Sequence, residues 1–228
     1  MRSYEVLRKI VNKLPKGFKV LLRGTMFQMR HYRGVIYAKK YYTCADLKLH
    51  LGCGNKLKEG WINIDINKGV DLTLDLRKEL PFVENSCAII YNEHFLEHLD
   101  YPTQVTFFLK ECFRILKPSG IFSVGVPDSE WPIRAYIEGD KAEYFELAKE
   151  LWHPQWCTTR MEHINYHFRQ EREHLFAYDF ETLKHILEIC GFKEVNRRNF
   201  NTNLDSEHRR LGTLYVDAIK PDSYKLNP

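Results

Sequence analysis

The chain has 228 residues, with 34 Lys or Arg against 30 Asp or Glu and a formal net charge of +4, enough for one α/β domain with additions and short for two independent cores. That small charge hides an asymmetry: residues 1–48 hold twelve Lys or Arg and two acids, Glu5 and Asp46, so a segment of net +10 precedes a body of net −6, which disfavours nucleic acid as partner. The six cysteines include no Cys-x-x-Cys pair, which points to a reducing compartment and away from a structural zinc, and no run approaches the roughly eighteen apolar residues of a membrane span, so a cytoplasmic location is expected.

Residues 3–14 place Tyr4, Leu7, Val11 and Leu14 on one helical stripe, which Pro15-Lys16-Gly17 ends. Residues 18–42 are again aromatic and basic, with Met26, Met29, Tyr32 and Tyr37 among Arg23, Arg30, Arg33, Lys39 and Lys40. Residues 1–45 therefore read as a basic helical extension. Two roles stand open: an accessory segment that caps the following domain or covers its ligand, or a peripheral contact with an anionic membrane face or a large anionic substrate.

Alternating Leu47, Leu49 and Leu51 predict a buried strand that stops at Gly52-Cys53-Gly54, where glycines let backbone approach a ligand. A second strand over 61–66 carries Asp65 at its tip. A carboxylate there, after a glycine turn, is how open α/β sheets hold a ribose at the carboxyl ends of their strands. A dinucleotide needs a full helix after the glycines for its pyrophosphate, yet only six residues separate Gly54 from Trp61, and the third glycine of that fingerprint is absent. A nucleoside cofactor without phosphate fits better, with a nicotinamide oxidoreductase as the rival.

These residues resemble the class I S-adenosylmethionine-dependent methyltransferases, in particular the type 11 methyltransferase domain. The resemblance implies a single Rossmann-like seven-stranded α/β sheet of order 3-2-1-4-5-7-6 over residues 46–220, the last strand antiparallel, followed by a tail over 221–228. It also implies that S-adenosylmethionine lies against His50, Leu51, Gly52, Cys53, Gly54, Asp65 and Ile66. His50 stands where many members carry an acid.

Residues 69–76 predict a short third strand ending in Asp75. In the family that acid and the backbone of the next residue, here Leu76, neighbour the adenine; on its own chemistry Asp75 could instead cap the turn after it. Few residues join the second strand to the third, so either the usual crossover helix is a bare loop or the third strand is minimal. Cys87-Ala88-Ile89-Ile90-Tyr91 suits a central strand. It leads into Asn92-Glu93-His94-Phe95-Leu96-Glu97-His98-Leu99, the most specific part of the resemblance, which sets Asn92, Glu93 and His94 beside the cofactor. Glu97 and His98 read equally well as a hydrogen-bonded helix start.

An amphipathic helix is expected over 101–117, stopped by Pro118-Ser119-Gly120, then a fifth strand over 121–126 with Asp128 just past its end. Residues 129–178 precede the next helix, which opens at Asp179-Phe180. Beginning at the carboxyl end of a strand and rich in Trp, Tyr and His, this insertion reads as a lid for the methyl acceptor, with Trp131, His163 and His167 as contacts. His163 and His167, at i and i+4, could also hold a metal with Glu162 or Glu173, but no resident metal is assigned. Strands six and seven are expected over 192–199 and 214–219, returning His208, Arg209 and Arg210 to the active face, where adjacent arginines could grip a phosphate or carboxylate, or form a solvated turn.

Methyl transfer from a sulfonium is an in-line displacement, so the protein must align the reactants and exclude water. A hydroxyl or amine acceptor also needs a proton removed; His98, His94 and Asp128 are the candidate bases. The expected acceptor is a sugar hydroxyl on a lipid-linked or surface glycan, as part of glycan biosynthesis. A small phenolic or amine metabolite, or an inactive scaffold of the same fold, are the alternatives.

Overall fold

The computed structural model describes residues 15–139 and 143–222; the helix expected over 3–14 lies outside them. Seven strands form one sheet: β1 (Leu47–Leu51), β2 (Ile62–Asp65), β3 (Leu72–Thr73), β4 (Cys87–Glu93), β5 (Leu116–Pro127), β6 (Lys193–Arg197) and β7 (Thr213–Ile219). Their order is β3-β2-β1-β4-β5-β7-β6, with β7 antiparallel to both neighbours and the other pairs parallel, as expected. Leu49, Leu51, Ile64, Ile90, Phe122, Val124 and Val216 are inaccessible to solvent in the centre of the sheet. Each such side chain contributes about 1.5–3 kcal/mol of burial.

Helix α1 (Lys16–Ala38) lies along the edge strand β3, and α2 (Thr103–Ile115) packs through Val105, Phe108, Leu109 and Cys112. α1 approaches so closely that a side chain at Gly34 would strike the Thr73 carbonyl oxygen and Leu74. This helix covers the sheet edge where a crossover helix between β2 and β3 is missing. Both sequence alternatives hold at once: the crossover is a bare loop over residues 66–71, and β3 is only two residues long. Asp71 ties the loop to β2 by accepting from the Asn63 backbone N–H (2.8 Å) and side-chain amide (3.0 Å).

The fourth element pair departs from expectation. α2 ends at Ile115 rather than 117, and β5 begins at Leu116 rather than 121, because Lys117 precedes Pro118 and is pushed from helical geometry, with Leu116 already extended. The carbonyls freed at the end of α2 are met by the buried Lys220 ammonium, which donates to Phe113 O (2.8 Å) and Leu116 O (2.7 Å). Among the described residues of the 129–178 insertion are three α-helices, α3 (Glu130–Glu138), α4 (Tyr144–Leu151) and α5 (Arg160–Arg169). α6 (Phe180–Ile189) follows, its first turn capped by Asp179, which accepts from Thr182 N–H at 2.8 Å.

Candidate active site

The parallel registers bring the carboxyl ends of β1, β2 and β4 level, with Leu51 beside Ile64 on one side and Asn92 on the other. Both glycines of the turn after β1 are left-handed, Gly52 at φ +68° and Gly54 at φ +55°. Their surroundings differ. A side chain at Gly52 would sit 2.8 Å from the Phe95 ring, whereas nothing lies within 4 Å of that position on Gly54. Phe95 excludes a side chain at Gly52, whereas Gly54 faces open space.

The Gly54 N–H donates to Asp65 Oδ2 (2.8 Å) and Asn67 N–H to Asp65 Oδ1 (2.8 Å), so turn and carboxylate form one unit. An ionised carboxylate has about four acceptor sites, which leaves capacity for a ligand's hydroxyls. Leu51 is fully buried behind the turn, and Ile66 stands at its exposed lip. Burial raises the Cys53 thiol to about 12, so it stays protonated. His50 is buried, its Nδ1 3.3 Å from Asn63 Oδ1; burial, helped by Lys58, lowers it to about 4 and keeps it neutral. Asp75 accepts from Arg77 through both oxygens (2.8 and 3.0 Å) and from the Arg77 backbone N–H (3.1 Å). Its carboxylate thus serves the following turn, the capping role open to it from sequence, and Leu76 beside it is buried.

At the end of β4 the Asn92 amide is completely buried, and neither its oxygen nor its nitrogen has a hydrogen-bond partner among the described residues. An orphaned amide costs about 1–3 kcal/mol and fits a site built for the amino-acid end of a cofactor. Glu93 is held by Tyr215 Oη (3.0 Å) and Ser206 N–H (3.1 Å), and Arg209 donates to its carbonyl (2.7 Å). His94 adopts φ +53°, with Nε2 2.8 Å from Thr213 Oγ1 and Nδ1 3.7 Å from Glu97 Oε1. Burial, reinforced by Arg209, keeps its ring neutral.

Glu97 lies in the turn after β4, fully buried, and burial raises its carboxyl to about 8. Neither of its oxygens has a hydrogen-bond partner among the described residues, nor do the buried Ser129 Oγ, His167 Nε2 and Tyr178 Oη, and all four side chains line one small cavity. Sequence reasoning did not single out Ser129 or Tyr178. The available signal was their position, each beside an aspartate at the edge of the lid insertion.

Under the lid, a cavity of about 330 Å³ is lined by His94, Trp152, His153, His167, His208 and Arg209, among others. Trp131 packs with Tyr144 and Trp152 in a satellite core. His163 and His167 do not converge: His167 Nδ1 bonds Tyr144 Oη (3.0 Å), His163 Nδ1 bonds His153 Nδ1 (2.8 Å), and Glu162 is consumed in capping α5 through Thr158 and Thr159. That metal set is therefore excluded by geometry. Asp128 caps α3 by accepting from Glu130 N–H (3.0 Å), its carboxyl pushed up by burial, while the His98 Nδ1 reaches Glu173 O (2.9 Å) at the surface.

The loop over 200–212 returns to this face, as expected, but its arginines diverge. Arg209 points inward to Glu93, and Arg210 pairs outward with Glu207 (3.4 Å). The loop is anchored by an ion pair not foreseen from sequence: Arg198 donates twice to the buried Asp205 (2.6 and 2.7 Å), which also accepts from Tyr91 Oη (3.1 Å).

Residues 55–124 match the family model of the type 11 methyltransferase domain. A stretch of 59 residues, 26% of this chain and 22% of the relative, is 37% identical to a probable S-adenosylmethionine-dependent methyltransferase of Mycolicibacterium smegmatis, so the chain matches about a fifth of that protein's length. Solved structures similar to it include a SAM-dependent methyltransferase of Archaeoglobus fulgidus (19% identity, 82% of this chain and 94% of that one, TM-score 0.45) and one of Methanosarcina mazei (19%, 81% and 97%, TM-score 0.48). Residues 55–124 therefore match a methyltransferase domain, within a chain whose sheet is ordered 3-2-1-4-5-7-6 with an antiparallel seventh strand.

Proposed function

We propose that the protein transfers a methyl group from S-adenosylmethionine to a sugar hydroxyl of a glycan acceptor seated beneath the 129–178 lid. The observation that carries this reading is His94, which directly follows the cofactor-side strand β4 and also lines the lid cavity. Asp65 and the Gly54 turn would hold the ribose, and the unpartnered Asn92 amide the amino-acid end. When bound, the cofactor supplies an electrophilic methyl on a sulfonium.

The remaining work falls to the chain. His94 is neutral; with Nε2–H donating to Thr213 Oγ1, its Nδ1, which faces Glu97 Oε1 at 3.7 Å, would take the acceptor's hydroxyl proton during methyl transfer. Tyr166, Trp152 and the lid histidines offer stacking faces and polar edges of the kind a sugar ring uses. α1 supports a peripheral contact with an anionic, lipid-bearing surface, since Met29, Tyr32, Ile36 and Tyr37 are exposed on a helix that also carries Arg30 and Arg33. No helix among the described residues is long and apolar enough to cross a membrane.

Calorimetry with S-adenosylmethionine, followed by methyl-transfer assays on sugar, phenol and amine acceptors, tests this reading. His94→Gln is expected to lower kcat by about 10²–10⁴ with cofactor affinity retained. Absence of cofactor binding, or NADH binding in its place, would overturn the enzyme assignment. Turnover of phenols or amines but not sugars would overturn the acceptor. Co-sedimentation with phosphatidylserine vesicles, lost in Arg30→Glu/Arg33→Glu, checks the membrane contact.

A further inference from the structure

We propose that His153, Cys157 and His163 form a binding site for a zinc-class transition-metal ion that staples α4 to α5 in the lid. The three lie in a His-x3-Cys-x5-His segment, and one donor atom from each falls within 4.8 Å of the others. Cys157 and His163 are buried, and His153 is half-buried at the wall of the lid cavity.

Local structure fixes each donor separately. His153 follows the end of α4, its N–H donating to Ala148 O at 2.7 Å. Cys157 closes a turn by donating its N–H to Pro154 O at 3.0 Å. The capping box of Thr159 and Glu162 starts α5 so that His163 comes one turn in, facing His153 with the two Nδ1 atoms 2.8 Å apart. That contact is a hydrogen bond between neutral imidazoles, in which one ring must lend its proton to the other.

Two imidazoles and one thiolate are a borderline-soft donor set, suited to zinc and unsuited to magnesium or calcium, which demand oxygen ligands. Bonds of about 2.0–2.1 Å to nitrogen in a tetrahedron place the nitrogens about 3.3 Å apart, so the rings need to part by about half an ångström. Coordination moves the shared proton to Nε2 of the ring that carried it, leaving both imidazoles neutral, and releases the Cys157 thiol proton to solvent. A fourth ligand, water or an acceptor atom, would complete the tetrahedron. The expectation against a structural zinc rested on the absence of cysteine pairs and does not bear on a mixed set of this kind.

Cobalt(II) tests the site, because a cobalt–thiolate bond absorbs in the near ultraviolet and tetrahedral cobalt absorbs in the visible. The full chain, without a histidine tag, reduced and chelator-treated, is titrated with cobalt and then with zinc. The expected result is one cobalt per chain with both absorptions, both lost on adding zinc. Cys157→Ser should abolish the thiolate band and weaken zinc binding by at least about a hundredfold. The band should persist in Cys44→Ser, which alters an exposed cysteine, and in His174→Gln, which alters the neighbouring Glu97, His98 and His174 cluster. A wild-type chain without the thiolate band overturns the proposal whatever the variants do, and so does a band that survives Cys157→Ser. Neither outcome depends on turnover, so the metal site and the methyl-transfer reading fail separately.

Discussion

The Gly54 N–H donates to Asp65 Oδ2 at 2.8 Å, tying the turn after β1 to the tip of β2. Asp65→Ala removes the acceptor for this amide and for that of Asn67, at a cost of about 1–3 kcal/mol in stability. It also removes the lone pairs left for a ribose. Calorimetry should show S-adenosylmethionine affinity reduced by about tenfold or more. An unchanged affinity would place the ribose elsewhere.

The two glycines of the turn should separate by experiment. Gly52→Ala forces a left-handed alanine, about 1–2 kcal/mol, and drives its methyl into the Phe95 ring, a further 1–3 kcal/mol or so. Gly54→Ala meets only the first cost in the folded chain, but sets a methyl where the cofactor would approach. Denaturant unfolding should therefore register Gly52→Ala more strongly, and cofactor titration Gly54→Ala. Phe95→Leu should partly rescue Gly52→Ala, because the clash is with the ring.

What was legible in the sequence were features written in contiguous residues. The alternation Leu47, Leu49, Leu51, the glycine turn and the run from Cys87 to Tyr91 predict the central strands, while the order of the sheet, implied by the family resemblance, is the one observed. The sequence was silent where a partner is distant along the chain. Nothing near Arg198 announces that it will grip Asp205, and nothing near Gly52 announces Phe95, 43 positions on. The histidines of the lid show a second limit. Helical spacing pairs His163 with His167, but tertiary packing turns one ring to His153 and the other to Tyr144.

Arg198 and Asp205 hold the loop over 200–212 against the strand ends, the carboxylate fully buried with both oxygens engaged. Asp205→Ala removes the doubly bonded acceptor but leaves Arg198 paired with Asp217 (3.0 Å), so it should cost about 1–3 kcal/mol. Arg198→Lys should cost less, since it keeps the charge and loses the fork. Hydrogen exchange offers the sharper reading: amides over 200–212 should lose protection in Asp205→Ala before those of β4. Uniform loss across the sheet would mean that the pair supports the whole fold and not the loop.

Glu97 makes stability depend on pH in a window of its own. Burial raises its carboxyl from an ordinary 4.5 to about 8, so the folded state holds a proton that the unfolded chain releases. Its contribution is complete below pH 4.5 and is lost as pH rises through about 8, at up to about 1.4 kcal/mol per pH unit. Buried histidines act in the opposite sense: His50, His153 and His174, lowered to about 4, and His167, lowered to about 3, withdraw stability as pH falls below 6.5. Between 4.5 and 6.5 the four histidines together outweigh Glu97, and Glu97 stands clear of them from 6.5 to 8. Unfolding free energies measured across that interval should decline in the wild type and level off in Glu97→Gln, which keeps the neutral shape without the ionisation. His94→Gln should leave the decline in place. Parallel curves for wild type and Glu97→Gln would mean that the carboxylate is already ionised at pH 6.5 and that the polar cavity around it is wetter than its burial implies.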